Sequence, residues 1–317
     1  MLKIKKDVEF ERERERERVN GAQKLNFSKI KNFFQFVFFF VILLGSFFVL
    51  GVGQASAATY YVDSSITDTN VGSATPDFTT YNPITFATDT GSSSVFKTIA
   101  DVNLKSFSAG DQVLFRKGQT WTEQLTFPSS GSSGNSIAIG SYGSGSLPVI
   151  DGAGNTYGIR VNAKNYLEFQ NLDIRGGTTY GMRIQNAVGV NLTNITISGG
   201  NFSLYMDEGS TVIINQCLIK DSVANSTIAV SGTGANTVAV KNTQIKNAYE
   251  SGIVIGGTGA HTLNVQNTTI YGAKHSGVKN NSGSATVTLK NCNVVSTVLD
   301  LSTAYPVWNT STGSITY

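Results

Sequence analysis

The sequence predicts an all-β fold, a right-handed parallel β-helix with a short N-terminal capping helix. Three observations predict it: a repeat of short apolar strands, a second strand column in phase with the first, and an amide residue between them. From Gly158 onward, segments open on a small residue and a short apolar strand at Gly158, Gly181, Ser203, Thr227, Gly252 and Gly277, spaced 23, 22, 24, 25 and 25 residues apart. A fixed period of this size is the signature of a stacked repeat, in which each unit buries its apolar face only against its neighbours. The second column is Phe169, Leu192, Ile214, Val240, Val265 and Leu289. Two residues further come Asn171, Asn194, Gln216, Asn242, Asn267 and Asn291, and three further again Ile174, Ile197, Ile219, Ile245, Ile270 and Val294.

Each element has a physical reason. Ile159 and Val161 alternate with Arg160, the period-two pattern of a strand with one buried face, which excludes a helical solenoid. No Leu-x-x-Leu-x-Leu frame accompanies it, which disfavours a leucine-rich repeat. A sharp bend between two strands needs a residue that tolerates left-handed dihedrals, and Asn does so better than most. Asn side chains stacked one rung apart, at about 4.8 Å, can also bond one another. Gln216 tolerates that backbone less well, so a local distortion is expected there.

Ahead of Gly158 the pattern loosens. Val113–Arg116, Gln124–Phe127, Ile137–Ile139 and Leu147–Ile150 read as early strands. Phe96–Phe107 reads as a short amphipathic helix with Ser94 as N-cap, placed to cover the open end of the apolar stack. Asp63–Ser94 reads as a long polar loop. Beyond Val295, Leu299, Leu301 and Trp308 either close the stack or mark a C-terminally truncated piece.

The expected organisation is an export segment, residues 1–57, and a β-helix domain, residues 58–317. The first contains Lys3, Lys5, Lys6, an alternating Glu/Arg run from Glu11 to Arg18, an apolar stretch from Phe33 to Val52, and Ala55-Ser56-Ala57, a small-x-small cleavage pattern. The apolar stretch is also long enough to span a bilayer. Two readings stay open: a cleaved secretory signal, or an uncleaved anchor that would make a membrane the partner of this segment alone. The Glu/Arg run reads as a solvated tail. Either way the chain is expected to be secreted or held at the cell surface.

Charge excludes one class of partner. The formal net charge of +3 belongs to the export segment, which holds 10 of 24 basic and 6 of 21 acidic residues, leaving 14 basic and 15 acidic in the remainder. Nucleic acid is therefore not implied. Only Cys217 and Cys292 occur, in one column three rungs apart, or about 14 Å, too far for a disulfide. Both are expected to be buried free thiols.

The amide turns and short-strand rungs resemble the pectate-lyase-like right-handed parallel β-helix superfamily. So do the early pieces Phe96-Lys97-Thr98-Ile99, Gly110-Asp111-Gln112-Val113-Leu114-Phe115 and Pro148-Val149-Ile150-Asp151-Gly152. The resemblance covers residues 60–317 and is specific for fold, weak for activity. Its members include polysaccharide lyases, glycoside hydrolases, epimerases, pectin esterases and phage tailspikes, so fold does not settle function. The chain departs from the hydrolases of the superfamily: Lys274-His275-Ser276-Gly277 only echoes their histidine motif, and no Asp-Asp pair is present. That puts paired-carboxylate hydrolysis in doubt. The acidic calcium cluster of pectate lyases is not visible either.

In such a superfamily the groove follows the first strand of each rung. Here its outward column is Arg160, Arg183, Tyr205, Ala229, Val254 and Lys279, flanked by Asp207 and preceded by Tyr157, Tyr180 and Phe202. Aromatic rings stack on pyranose faces and Arg pairs with carboxylates, so an acidic polysaccharide is the expected partner, bound through Arg160, Arg183, Tyr180, Tyr205, Asp207 and Lys274. The bland alternative is an ordinary solvent-facing sheet. For chemistry the sharpest candidates are Glu250 and His275, one rung apart, where a carboxylate would orient an imidazole for acid–base work, with Lys279 as a lyase base or charge stabiliser. Two exposed turn residues in a weak pair are the alternative.

Asp207-Glu208, the adjacent acidic pair of the rungs, would suit Ca²⁺ only with neighbouring carbonyls, and alternation points the two side chains apart, so no metal and no cofactor is assigned. His261 reads as a surface residue. No dinucleotide fingerprint, P-loop, Gly-x-Ser-x-Gly or His-Glu-x-x-His stands in a fitting context. Two function classes remain: a polysaccharide-active protein, a lyase on uronic-acid polymers among the options, and a non-catalytic surface or adhesion module.

Overall fold

The computed structural model describes residues 10–18, 20, 56–296, 305–310 and 312–316. The chain divides into two units, Met1–Ser56 and Ala57–Tyr317. In the first, the Glu/Arg run is helical and exposed, and the Arg14 guanidinium lies 5.2 Å from the Phe10 ring centre. The apolar stretch and the start of the cleavage pattern lie outside the described residues. Among the described residues no helix is long and apolar enough to cross a membrane.

The second unit is a coil of parallel strands that stack into three sheets. The columns read from sequence are the observed register. Ile159, Met182, Leu204, Ile228, Ile253 and Val278 pair in sequence along one sheet. Phe169, Leu192, Ile214, Val240, Val265 and Leu289 pair along the second. Ile174, Ile197, Ile219, Ile245, Ile270 and Val294 pair along the third. Most of these side chains are fully buried in one continuous apolar core. A residue that slipped by one would point outward, so burial itself fixes the register.

At the bends, Asn171, Asn194, Gln216, Asn242, Asn267 and Asn291 all have φ between 49° and 56°. Gln216, with φ 56°, therefore keeps the backbone of its column, contrary to the expected distortion. Its effect falls on the side chains. Asn194 Nδ2 donates to Asn171 Oδ1 at 2.7 Å and Asn267 Nδ2 to Asn242 Oδ1 at 3.3 Å, but Asn242 Nδ2 turns to Asn215 Oδ1 at 2.9 Å.

The N-terminal end differs from the expectation in detail. The helix is Ile99–Leu104, six residues, capped by Thr98 rather than Ser94; the Thr98 hydroxyl accepts from the Asp101 N–H at 3.2 Å. Phe96 ends a strand, Ser93–Phe96, because its side chain is needed in the core, where it is fully buried. Ile99 and Val102 join that core, so the helix does cover the end of the stack. The segment read as a polar loop contains a further strand, Phe78–Tyr81, antiparallel to Ser93–Phe96. At the other end Tyr305–Asn309 adds to the sheet of first strands, with Trp308 beside Lys279; Leu299 and Leu301 lie outside the described residues.

Cys217 and Cys292 are free, as expected, but only Cys217 is buried. Cys292 is half-exposed: it sits near the C-terminal end of the stack, where less chain lies over it.

Candidate functional site

The first strands Tyr157–Asn162, Tyr180–Gln185 and Phe202–Asp207 lie side by side, which places Tyr157, Tyr180 and Phe202 in one file. Their rings stack: Tyr157 on Tyr180 at 5.3 Å and 9°, Tyr180 on Phe202 at 6.0 Å and 16°. Tyr205 sets its ring edge against both Tyr180 and Phe202, at 5.2 and 5.0 Å. The Arg160 guanidinium lies 5.4 Å from the Tyr157 ring centre, and that of Arg183 lies 5.4 Å from Tyr180 and 5.7 Å from Tyr205. The strand spacing of about 4.8 Å is what brings rings one rung apart into stacking range.

Arg183 and Asp207, both expected on the binding face, pair with each other: Asp207 is buried and takes Arg183 in a fork, Nη2 to Oδ2 at 2.5 Å and Nε to Oδ1 at 3.4 Å. Burial works against the Arg183 charge, but the Asp207 carboxylate and the Tyr157 hydroxyl more than offset it, so its pKa is raised. The pair neutralises itself in a half-dry setting, where a charge must be partnered. Of the two arginines in the column, Arg160 carries no ion pair among the described residues and has a buried Nε without a hydrogen-bond partner.

The second candidate cluster is brought together only in part. Ser251 pairs with Ser276, so Glu250 and His275 stand on adjacent rungs; the His275 N–H donates to the Glu250 carbonyl at 2.9 Å, and both residues are exposed. Lys279 lies four residues along an extended strand from His275, about 13 Å, and its Nζ sits 4.6 Å from the Trp308 ring centre. It does not share a reacting atom with His275 in this arrangement. Lys274 places its Nζ 4.0 Å from the Tyr249 ring centre. Both ammonium groups are held by ring faces, which attract cations.

Asp207 and Glu208 do diverge. Glu208, with φ 55°, turns to accept from the Thr233 hydroxyl at 3.0 Å, and that bond is the main reason its carboxyl is held below the usual range.

Three further groups were not legible in the sequence. His261, read as a surface residue, is 1% exposed, because its ring folds into a turn and bonds there on both sides. Asp63, fully buried, accepts from Tyr81 Oη at 2.7 Å, Arg116 Nη1 at 2.9 Å and Gln119 Nε2 at 2.7 Å. Burial pushes its carboxyl up, yet the hydrogen bonds from Ser65, Gln119 and Tyr81 bring it below its ordinary value. Tyr81 and Tyr142 share a hydroxyl bond of 2.6 Å, and burial raises both phenols.

Finally, Asp68, Asp77 and Asp101 each bring a carboxylate oxygen to within 4.8 Å of the others. These are residues that could hold a cation, although none was assigned from sequence. Asp77 is already engaged by the N–H groups of Thr69, Asn70 and Lys97, and Asp101 by that of Ser73, bonds that clasp residues 69–77 to the body. Burial, with Asp77 and Asp101 close by, raises the Asp68 carboxyl. The signal in the sequence was weak: three single Asp residues spread over 34 positions, outside the repeat.

The family model described as right handed beta helix region matches residues 134–294. No curated protein matches the sequence. Solved structures with a similar fold include pectate lyase Pel9A, 13% identical with a TM-score of 0.50, covering 83% of this chain and 78% of that one. An alginate lyase from Paenibacillus sp. is 16% identical with a TM-score of 0.39, covering 66% of this chain and 93% of that one. A GH136 lacto-N-biosidase from Eubacterium ramulus is 16% identical with a TM-score of 0.42, covering 74% of this chain and 45% of that one. The chain thus spans less than half the length of the biosidase. At 13% identity the likeness to the pectate lyase is one of fold.

Proposed function

We propose a function from one premise: the chain belongs to the right-handed β-helix family. Within that fold it is an exported protein that binds a polysaccharide along the sheet of first strands, with residues 1–57 as its export segment. The observation that carries this reading is the file of Tyr157, Tyr180, Phe202 and Tyr205 with Arg160 and Arg183 laid across it. Tyr180, stacked on both sides, has given up its faces and offers its edge. The file therefore presents tyrosine hydroxyls and a guanidinium as donors to sugar hydroxyls, with ring edges as apolar ground between them. Arg160 is the cation on this file for a sugar carboxylate, since Arg183 is already taken by Asp207.

Catalysis is the finer part of the proposal. Glu250 and His275 are its acid–base pair, with Lys274 on the same turn and Lys279 further along the strand as a contact for the polymer. The engagement of both lysines by aromatic rings favours a second reading, a non-catalytic surface module that uses the same face.

The experiment that tests these readings is incubation of the full-length protein with pectate, alginate and glycosaminoglycans, following both retention on the polymer and the ultraviolet absorbance of unsaturated product. Retention weakened about tenfold by Arg160→Ala supports the binding face; unchanged retention removes it. Unsaturated product that disappears with His275→Ala supports the lyase reading, and retention without product leaves the module.

A further inference from the structure

The turn that follows each first strand in the middle rungs carries a buried polar side chain in one column: Ser210, Asn236 and His261. Each closes its own turn by donating to a backbone carbonyl. Ser210 Oγ donates to Asp207 O at 2.8 Å, Asn236 Nδ2 to Ser231 O at 2.6 Å, and His261 Nε2 to Gly256 O at 2.8 Å. They are also joined from rung to rung. Asn236 Oδ1 accepts from the Gly209 and Ser210 N–H groups at 3.1 and 2.8 Å, and His261 Nδ1 accepts from the Asn236 N–H at 3.2 Å, with Asn236 Nδ2 at 3.1 Å.

This network admits one protonation state of His261. The Gly256 carbonyl can only accept, so Nε2 carries a proton. The Asn236 N–H can only donate, so Nδ1 must be bare. A second proton would put an N–H against the N–H of Asn236 and bury a cation at a site that is 1% exposed. The ring also needs a glycine beside it: a Cβ on Gly259 would come within 2.7 Å of His261 Cε1.

The turns packed around the ring, residues 231–236, 256–260 and 281–285, contain no titratable side chain. The charge that acts on it is Glu208, which favours the imidazolium; burial opposes and outweighs it, holding the His261 pKa below its usual value.

We propose that His261 is an acid-sensitive lock whose protonation releases Asn236, and through it the Gly209–Ser210 turn that fixes Asp207 against Arg183. The lock thereby regulates the face to which the polysaccharide is assigned, and in that respect rests on the reading above. Its own test needs no polysaccharide, so the two fail separately. A histidine held neutral in the folded state contributes stability that is present above its unfolded pKa of about 6.5 and lost as pH falls toward its folded value.

In urea unfolding of the full-length chain, the unfolding equilibrium constant should rise as pH falls from 7.5 to 5, by at most about tenfold for each unit below about 6.5. Hydrogen exchange, corrected for its intrinsic pH dependence, should show Gly209, Ser210 and Asn236 amides losing protection over the same range. His261→Gln keeps a donor for Gly256 and an acceptor for Asn236 without titrating, so it should remove most of this drop. His275→Gln, at the other histidine of the chain, should retain it. A flat wild-type profile, a drop that survives in His261→Gln, or unchanged protection at Gly209 and Ser210 overturns the proposal.

Discussion

The two ends of the β-helix domain are held by different means. From Gly158 to Ser296 the rungs repeat one solution, an inward Ile, Leu or Val on each strand and an amide at the bend. Between Ala58 and Asp151 the core sets the aromatic Phe96, Phe107, Phe115, Trp121 and Phe127 among its aliphatic side chains, and a polar knot gathers around a buried carboxylate beside it: Asp63 with Arg116, Gln119, Tyr81 and Ser65. Repetition spreads stability over many equal contacts; the knot concentrates it in a few unlike ones that ordinary periodicity does not announce. A stacked coil needs closure at its terminal rung, and among the described residues of this domain a six-residue helix and an added antiparallel strand lie at this end.

The sharpest way to break that contrast is Asp63→Ala. It takes the carboxylate from the Arg116 guanidinium and an acceptor from buried Tyr81 and half-buried Gln119, and should cost about 3 kcal/mol in urea unfolding. The Asp63 carboxyl is lowered on folding, so its contribution is present above the unfolded value near 3.8 and is lost as pH falls through the folded value; in Asp63→Asn that acid limb should flatten. An unchanged midpoint would show the knot to be ornamental.

Next comes Ile197→Ala, deep in the repeat, expected to cost about 3 kcal/mol through lost burial and a cavity. The same loss at Ile219 and Ile245 would confirm that the rungs share the load evenly, and unequal losses would argue against equivalence. Arg183→Ala should cost more than Asp207→Ala. The first leaves the buried Asp207 carboxylate without its partner; the second leaves a more exposed guanidinium that keeps the Tyr180 and Tyr205 rings. Comparing the two by thermal unfolding tests whether the pair is a support for the aromatic file. The smallest effect is expected for Asn194→Ala, about 1 kcal/mol, from one side-chain bond and a left-handed bend that Ala adopts less readily.

Much of the fold was legible because period and burial carry the same message in a coil. Ile174, Ile197 and Ile219 recur at fixed offsets in sequence and therefore sit one above another in space. For the same reason the adjacency of Glu250 and His275, and the file of Tyr157, Tyr180 and Phe202, could be read from numbering alone. What did not follow is where side chains go once they are neighbours. Arg183 reaches across to Asp207 one rung on, and Lys279 settles on Trp308, which lies 29 positions later.

The sequence by itself determined the coil, its register and its apolar core, because strand alternation and repeat length are properties of consecutive residues. Only the tertiary structure decided that His261 is buried with both ring nitrogens bonded, that Asp207 pairs with Arg183, and that Asp63 gathers Tyr81, Arg116 and Gln119 near the N-terminal end. Those outcomes depend on desolvation and on partners supplied by other turns, and neither quantity is written in the local sequence around a polar residue.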